Sequence, residues 1–98
     1  MFFKQLVNFV IIKLDNGQEI MMKYMLTHRN ADVFGVLAEK HVISNGEMHF
    51  EEQCESTGGY SLRDALVLAE SCTTGKVLPT TYPEIEEEIR SEKMLNVV

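Results

Sequence analysis

Glu39, His41, His49 and Glu51 flank an Asn45-Gly46 turn signal in the middle of the chain. Imidazole and carboxylate are competent ligands for zinc and other divalent ions, and three of them would leave a fourth position open to water. The same groups could pass a proton, with one imidazole charged and the other neutral. Either chemistry requires the side chains to converge, so the elements that carry them decide whether there is a site at all.

Those elements read as strands. Val33 to Ile43 and Glu47 to Glu55 are runs rich in β-branched, aromatic and alternating residues on either side of Ser44-Asn45-Gly46. Pairing them as a three-residue loop with a bulge at Gly46 gathers Phe34, Val36, Ala38 and Val42 with Met48, Phe50 and Cys54 on one face. A two-residue Asn45-Gly46 loop would mix His41 and Glu39 into the face of Phe50 and Cys54, so the bulged register is the expected one. It sets His41 opposite His49 and Glu39 opposite Glu51, with β-carbons roughly 4.5 to 5.5 Å apart in each pair. Polar residues on a solvated face would account for the same set without a ligand, and that is the reading we favour. Lys40 is expected to form a cross-strand ion pair near Glu52.

An earlier hairpin precedes this one. Val7 to Leu14 runs into Asp15-Asn16-Gly17, and Glu19 to Thr27 follows at once. Beyond Gly58-Gly59, Ser61-Leu62-Arg63-Asp64 has the form of a capping box, and Leu62, Ala65, Leu66, Ala69 and Cys72 recur at helical spacing up to a stop at Gly75. Pro83 and the glutamates from Glu84 to Glu88 suit the start of a second helix, with Ile85 and Ile89 as its apolar edge and Arg90 and Lys93 towards its end. The expected fold is a single α+β domain: a four-stranded antiparallel β-meander over about residues 4–55, followed by helices over about 61–74 and 82–93 that pack on the sheet.

The first hairpin is apolar on both faces. Val7, Phe9 and Ile11 alternate with Val10, Ile12 and Leu14, and Ile20, Met22, Tyr24 and Leu26 alternate with Met21 and Met25. An antiparallel sheet with one wet face shows polar residues at every second place, so the second face needs a cover. The helices could split between the faces, or a second copy of the chain could cover one of them. We expect a homodimer that uses Val10, Ile12, Met21 and Met25, because methionine adapts readily to contact surfaces.

Composition removes other classes. The chain has 98 residues and a formal charge of −6, and ten of its fifteen acidic residues lie after residue 50. No basic stripe suits a nucleic-acid backbone, no apolar run approaches the roughly 20 residues of a membrane span, and the amino terminus does not read as a signal peptide. A cytoplasmic protein without a cofactor is expected. Cys54 and Cys72 read as small apolar residues rather than a disulfide or zinc pair. Gly75-Lys76 lacks the hydroxyl residue and first glycine of a phosphate loop, and Ser61 lacks a nucleophile elbow. Glu51 to Glu55 and Glu84 to Glu88 read as solvated faces, with an unknown protein partner of basic surface as the alternative.

The succession Tyr24-Met25-Leu26-Thr27, Asp32-Val33-Phe34-Gly35-Val36, Glu55-Ser56-Thr57-Gly58-Gly59 and Val77-Leu78-Pro79, leading into Pro83 to Ile89, resembles a family of short proteins of unknown function from Gram-positive anaerobic bacteria. The likeness covers roughly residues 20 to 92 and rests on strand, turn and cap residues. It implies a shared fold and carries no activity. The function expected is therefore a protein-interaction or regulatory module, with a small metal-dependent or acid-base enzyme as the competing class. A binder of a small molecule between sheet and helix is a third.

Overall fold

A computed structural model describes residues 3–98. Strands β1 (Phe3–Lys13), β2 (Glu19–Asn30), β3 (Val33–Ser44) and β4 (Glu47–Glu55) form one antiparallel sheet in the order β1-β2-β3-β4. Helices α1 (Leu62–Gly75) and α2 (Tyr82–Glu92) follow. The meander arises because short turns keep sequential strands adjacent, and the first and third of them contain residues with positive φ. At the first turn, Leu14 N–H donates to the Gln18 carbonyl at 2.8 Å, and Gly17 takes φ 86°. At the third, Asn45 and Gly46 take φ 54° and 79°, leaving Ser44 paired with Glu47. That loop has two residues, not the three expected with a bulge at Gly46. Two successive left-handed residues twist with the strands, so no bulge is needed at the turn.

Both helices lie on one side of the sheet. Helix α1 starts at Ser61, whose hydroxyl accepts the Asp64 N–H at 3.2 Å, and it crosses β1, β2 and β3. Its buried stripe is Ala65, Leu68, Ala69 and Cys72, while Leu62 and Leu66 are exposed. The stripe is therefore rotated from the expected one, because small Ala65 and Ala69 allow close approach and Leu68 fills the space between them. Lys76, not Gly75, takes the left-handed cap at φ 51° and donates to the Cys72 and Thr73 carbonyls. The Asp64 carboxylate accepts the Asn96 N–H at 3.2 Å, which ties the carboxyl-terminal segment to α1.

Beneath the helices, Met22, Tyr24, Val36 and Ala38 of the sheet meet Leu68, Cys72 and Tyr82 in one core. Burying a tyrosine strands its hydroxyl unless a partner is supplied. Here Tyr24 donates to the Val77 carbonyl at 2.8 Å and Tyr82 to the Val36 carbonyl at 3.0 Å. Tyr60 donates to the Glu86 carboxylate. After β4 the chain stays beside β3: Ser56 N–H bonds Val36 O at 2.8 Å, and Phe34 and Tyr60 exchange backbone bonds of 2.8 and 2.7 Å. Arg29 fastens that segment from the other side, donating to the Ser56 carbonyl at 2.6 Å and pairing with Glu55 at 2.8 Å. Within the described residues, no helix is long and apolar enough to cross a membrane.

Candidate functional site

The register of β3 and β4 determines what becomes of the histidine–glutamate set. Val42 faces His49, and His41 faces Phe50. A bulge then admits Glu51 as an extra residue before Lys40 pairs with Glu52, Glu39 with Gln53 and Ala38 with Cys54. Each residue of β4 beyond the bulge is thereby switched to the other face. The two-residue turn, which sets Val42 rather than His41 opposite His49, separates the histidines, and the bulge leaves Glu51 without a place opposite Glu39. Glu39 and His41 share the face turned away from the helices, with His41 Nε2 3.2 Å from Glu39 Oε1 and Lys4 Nζ 3.1 Å from Glu39 Oε2. His49 stands on the opposite face, exposed, 3.3 Å from Glu47. Glu51 pairs with Lys40 at 2.8 Å, so Lys40 meets the bulged residue rather than its direct neighbour Glu52. The expected pairings of His41 with His49 and of Glu39 with Glu51 are not formed. Among the described residues, no group of three or more histidine, cysteine, aspartate or glutamate side chains is placed to hold a metal ion.

The expected self-association set also divides. Val10 lies opposite Met22 and Ile12 opposite Ile20, so both pack towards the helix-covered core. Met21 and Met25 lie on the other face. A bulge between Leu6 and Asn8 makes Val7 an extra residue of β1 and turns it to the core, away from Phe9 and Ile11.

What remains on the uncovered face is a short array of cross-strand rows. The first runs Leu6, Met25, Leu37, Glu55 from β1 to β4. The central row is Phe9, Lys23, Glu39, Gln53, and the third is Ile11, Met21, His41, Phe50. Phe9 is 47 % exposed and Phe50 56 %, and among the described residues no element lies over them. His41 meets the edge of the Phe50 ring, with centroids 5.7 Å apart. Burial pushes the Glu39 carboxyl up, but the hydrogen bonds and charges of His41 and Lys4 outweigh it and hold it below the ordinary carboxylate value. Lys23, its cross-strand neighbour, forms no ion pair among the described residues. At one end of the face, Lys4, Thr27, Leu37, Gln53, Cys54 and Glu55 line a depression of about 360 Å³.

No protein-family model, curated protein or solved structure matches the chain. The chemistry of the face must therefore be judged from its residues.

One polar residue escaped the sequence reading. Glu86 sits within the acidic run of α2, yet it is only 1 % exposed. Its carboxylate accepts the Thr57 N–H at 2.8 Å, the Gly58 N–H at 3.1 Å, the Thr57 hydroxyl at 3.3 Å and the Tyr60 hydroxyl. Its place on the stripe of Tyr82 and Ile89, at i+4 and i+7 spacing, was the available signal, hidden by three neighbouring glutamates. These bonds satisfy the carboxylate internally and fix α2 against the end of the sheet. Burial also pushes the Cys72 thiol up to about 12 and raises that of Cys54, with the Glu86 charge adding to both. Both thiols therefore stay protonated and poorly nucleophilic. His28 lies in β2, and its ring stacks on Phe34 with centroids 4.7 Å apart.

Proposed function

We propose that the protein is a non-catalytic interaction module that acts through the uncovered face of its sheet, and that it self-associates as a homodimer. One observation carries this reading: a single chain supplies helices for one face only and leaves Phe9, Ile11, Met48 and Phe50 against solvent on the other. Contiguous apolar patches larger than a few hundred Å² are uncommon on monomers and mark contact sites. The sheet edges offer a poorer route. Both β1 and β4 carry a bulge, which breaks the regular backbone ladder that edge-to-edge pairing would need. The separation of His49 and Glu51 from Glu39 and His41 argues against the competing metal or acid-base chemistry. Sedimentation equilibrium tests the proposal: a dimer at micromolar concentration is expected, and a monomer at the highest soluble concentration would overturn it. Zinc at micromolar concentration is expected to leave the melting temperature unchanged.

A further inference from the structure

Resting on the self-association just proposed, we infer that two copies meet sheet face to sheet face about a two-fold axis parallel to the strands and midway between β2 and β3. Lys23 of each then seats on the partner's Glu39. An isologous contact must match a surface to itself, residue i meeting j while j meets i. Rotation about this axis lays β2 over β3 and β1 over β4, and each cross-strand row falls on its own reverse. In the central row Lys23, which forms no ion pair among the described residues, meets the carboxylate of Glu39, which is only 7 % exposed but whose two oxygens retain acceptor sites beyond those used by Lys4 and His41. In the flanking rows Met25 falls on Leu37 and Ile11 on Phe50, apolar on apolar, while Met21 falls on His41 and, at the rim of the contact, Leu6 falls on Glu55.

The alternative face-to-face axis, perpendicular to the strands and running through the central row, would lay Lys23 on Lys23 and Glu39 on Glu39 across a desolvated contact. Like charges so placed cost several kcal/mol, which selects the axis along the strands. Shape agrees with charge. Leu37 forms part of the 360 Å³ depression at the end of the face, and Met25, unbranched and adaptable, is the side chain that the proposed axis carries over it. Size is also sufficient. With strands about 4.8 Å apart and rising about 3.3 Å per residue, the flat footprint of the face is roughly 600 Å² before side-chain relief is counted, against about 800 Å² per partner in a standard interface. The assembly is a four-layer sandwich with helices outside and two sheets about 10 Å apart within, strands aligned to within about 30°.

Exchange of charge tests the arrangement. Lys23→Glu and Glu39→Lys are each expected to weaken the dimer by at least about tenfold in Kd. An equimolar mixture of the two is expected to restore association as a heterodimer, because one chain then presents glutamate and the other lysine at both positions. If the wild type is dimeric and the mixture stays dissociated, the arrangement is wrong while self-association stands. If the wild type is itself monomeric, both fail. A second variant does not depend on charges being tolerated within the sheet. Ile11 and Phe50 are exposed and lie three strand spacings apart in one chain, about 14 Å. Ile11→Cys combined with Phe50→Cys should therefore be joined by a short bismaleimide only between chains. A covalent dimer from the double variant, and from neither single variant, is the expected result. Failure of a dimeric double variant to cross-link rejects the axis.

Discussion

The two faces of the sheet are made by the same strands from neighbouring residues, yet they treat polar groups in opposite ways. On the covered face Tyr24, Tyr60 and Tyr82 each donate to a fixed internal acceptor, and Glu86 takes four donors from the segment after β4. On the bare face Lys23 has no ion pair among the described residues, while Phe9 and Phe50 project into solvent. A closed network of this kind fixes one packing of helix on sheet and leaves nothing for a ligand. An open set of charges and apolar groups does little for the isolated chain and gains its value only when water is removed. If the bare face serves the association proposed above, stability and recognition are divided between the faces, and the two should respond differently to mutation.

The largest effect is expected at Leu68, fully buried between α1 and the sheet. Leu68→Ala removes its buried methyl groups and leaves a cavity that two layers of structure cannot collapse to fill, so a loss of about 3 kcal/mol is expected in urea unfolding. A loss under 1 kcal/mol would mean that the covered face is less tightly packed than described. Next comes Glu86. Glu86→Gln keeps the volume but replaces two charged acceptors with one neutral acceptor and a donor, facing two backbone N–H groups and two hydroxyls. Hydrogen bonds to a charged group contribute about 1.5 to 3 kcal/mol, and a loss of about 2 kcal/mol is expected. Amide exchange at Thr57 and Gly58 should quicken with it, since those N–H groups are the ones released.

Much of this architecture was legible because its signals are local. Asp15-Asn16-Gly17 and Asn45-Gly46 marked two of the turns, and Ser61 and Pro83 marked the helix starts, each through backbone geometry that only a few residue types favour. The apolar character of both faces of the first hairpin was equally plain in the alternation of Met21, Met22, Tyr24 and Met25. The side on which the helices would settle was not, since Val10 and Ile11 are equally good hydrophobes and only tertiary packing distinguishes them. The candidate site failed on a matter of one residue. Ser44-Asn45-Gly46 suits either loop length, and the bulge at Glu51 has no local marker because a glutamate is as acceptable in a regular strand as in an irregular one. A shift of that size moves His49 from one side of the sheet to the other.

On the bare face the expected changes in stability are small. Phe50→Ser should alter the unfolding free energy by no more than about 0.5 kcal/mol at concentrations below self-association, because the ring is already more than half exposed in the isolated chain. The same substitution should weaken the dimer, and the contrast between those two measurements separates a recognition surface from a core.

The smallest effect lies in the titration of Glu39. Its carboxyl is held below the ordinary value in the folded chain by His41 and Lys4, so the unfolded chain takes up a proton first as pH falls. The stabilisation is fully present above the unfolded carboxylate value of about 4.3 and disappears as pH drops through the lower folded value. Glu39→Gln abolishes that part of the slope while leaving the other carboxylates in place. The difference in unfolding free energy between wild type and variant, measured by urea titration from about pH 6 to about pH 3, should therefore shrink on acidification by an amount on the order of 1 kcal/mol or less, as for partly solvated ion pairs. Added salt should reduce it further, because Lys4 remains half exposed. At concentrations where the chains associate, the same titration gains a second contribution: removing the charge of Glu39 deprives the partner's Lys23 of its proposed counter-ion, and the difference between dilute and concentrated samples isolates the interface from the fold.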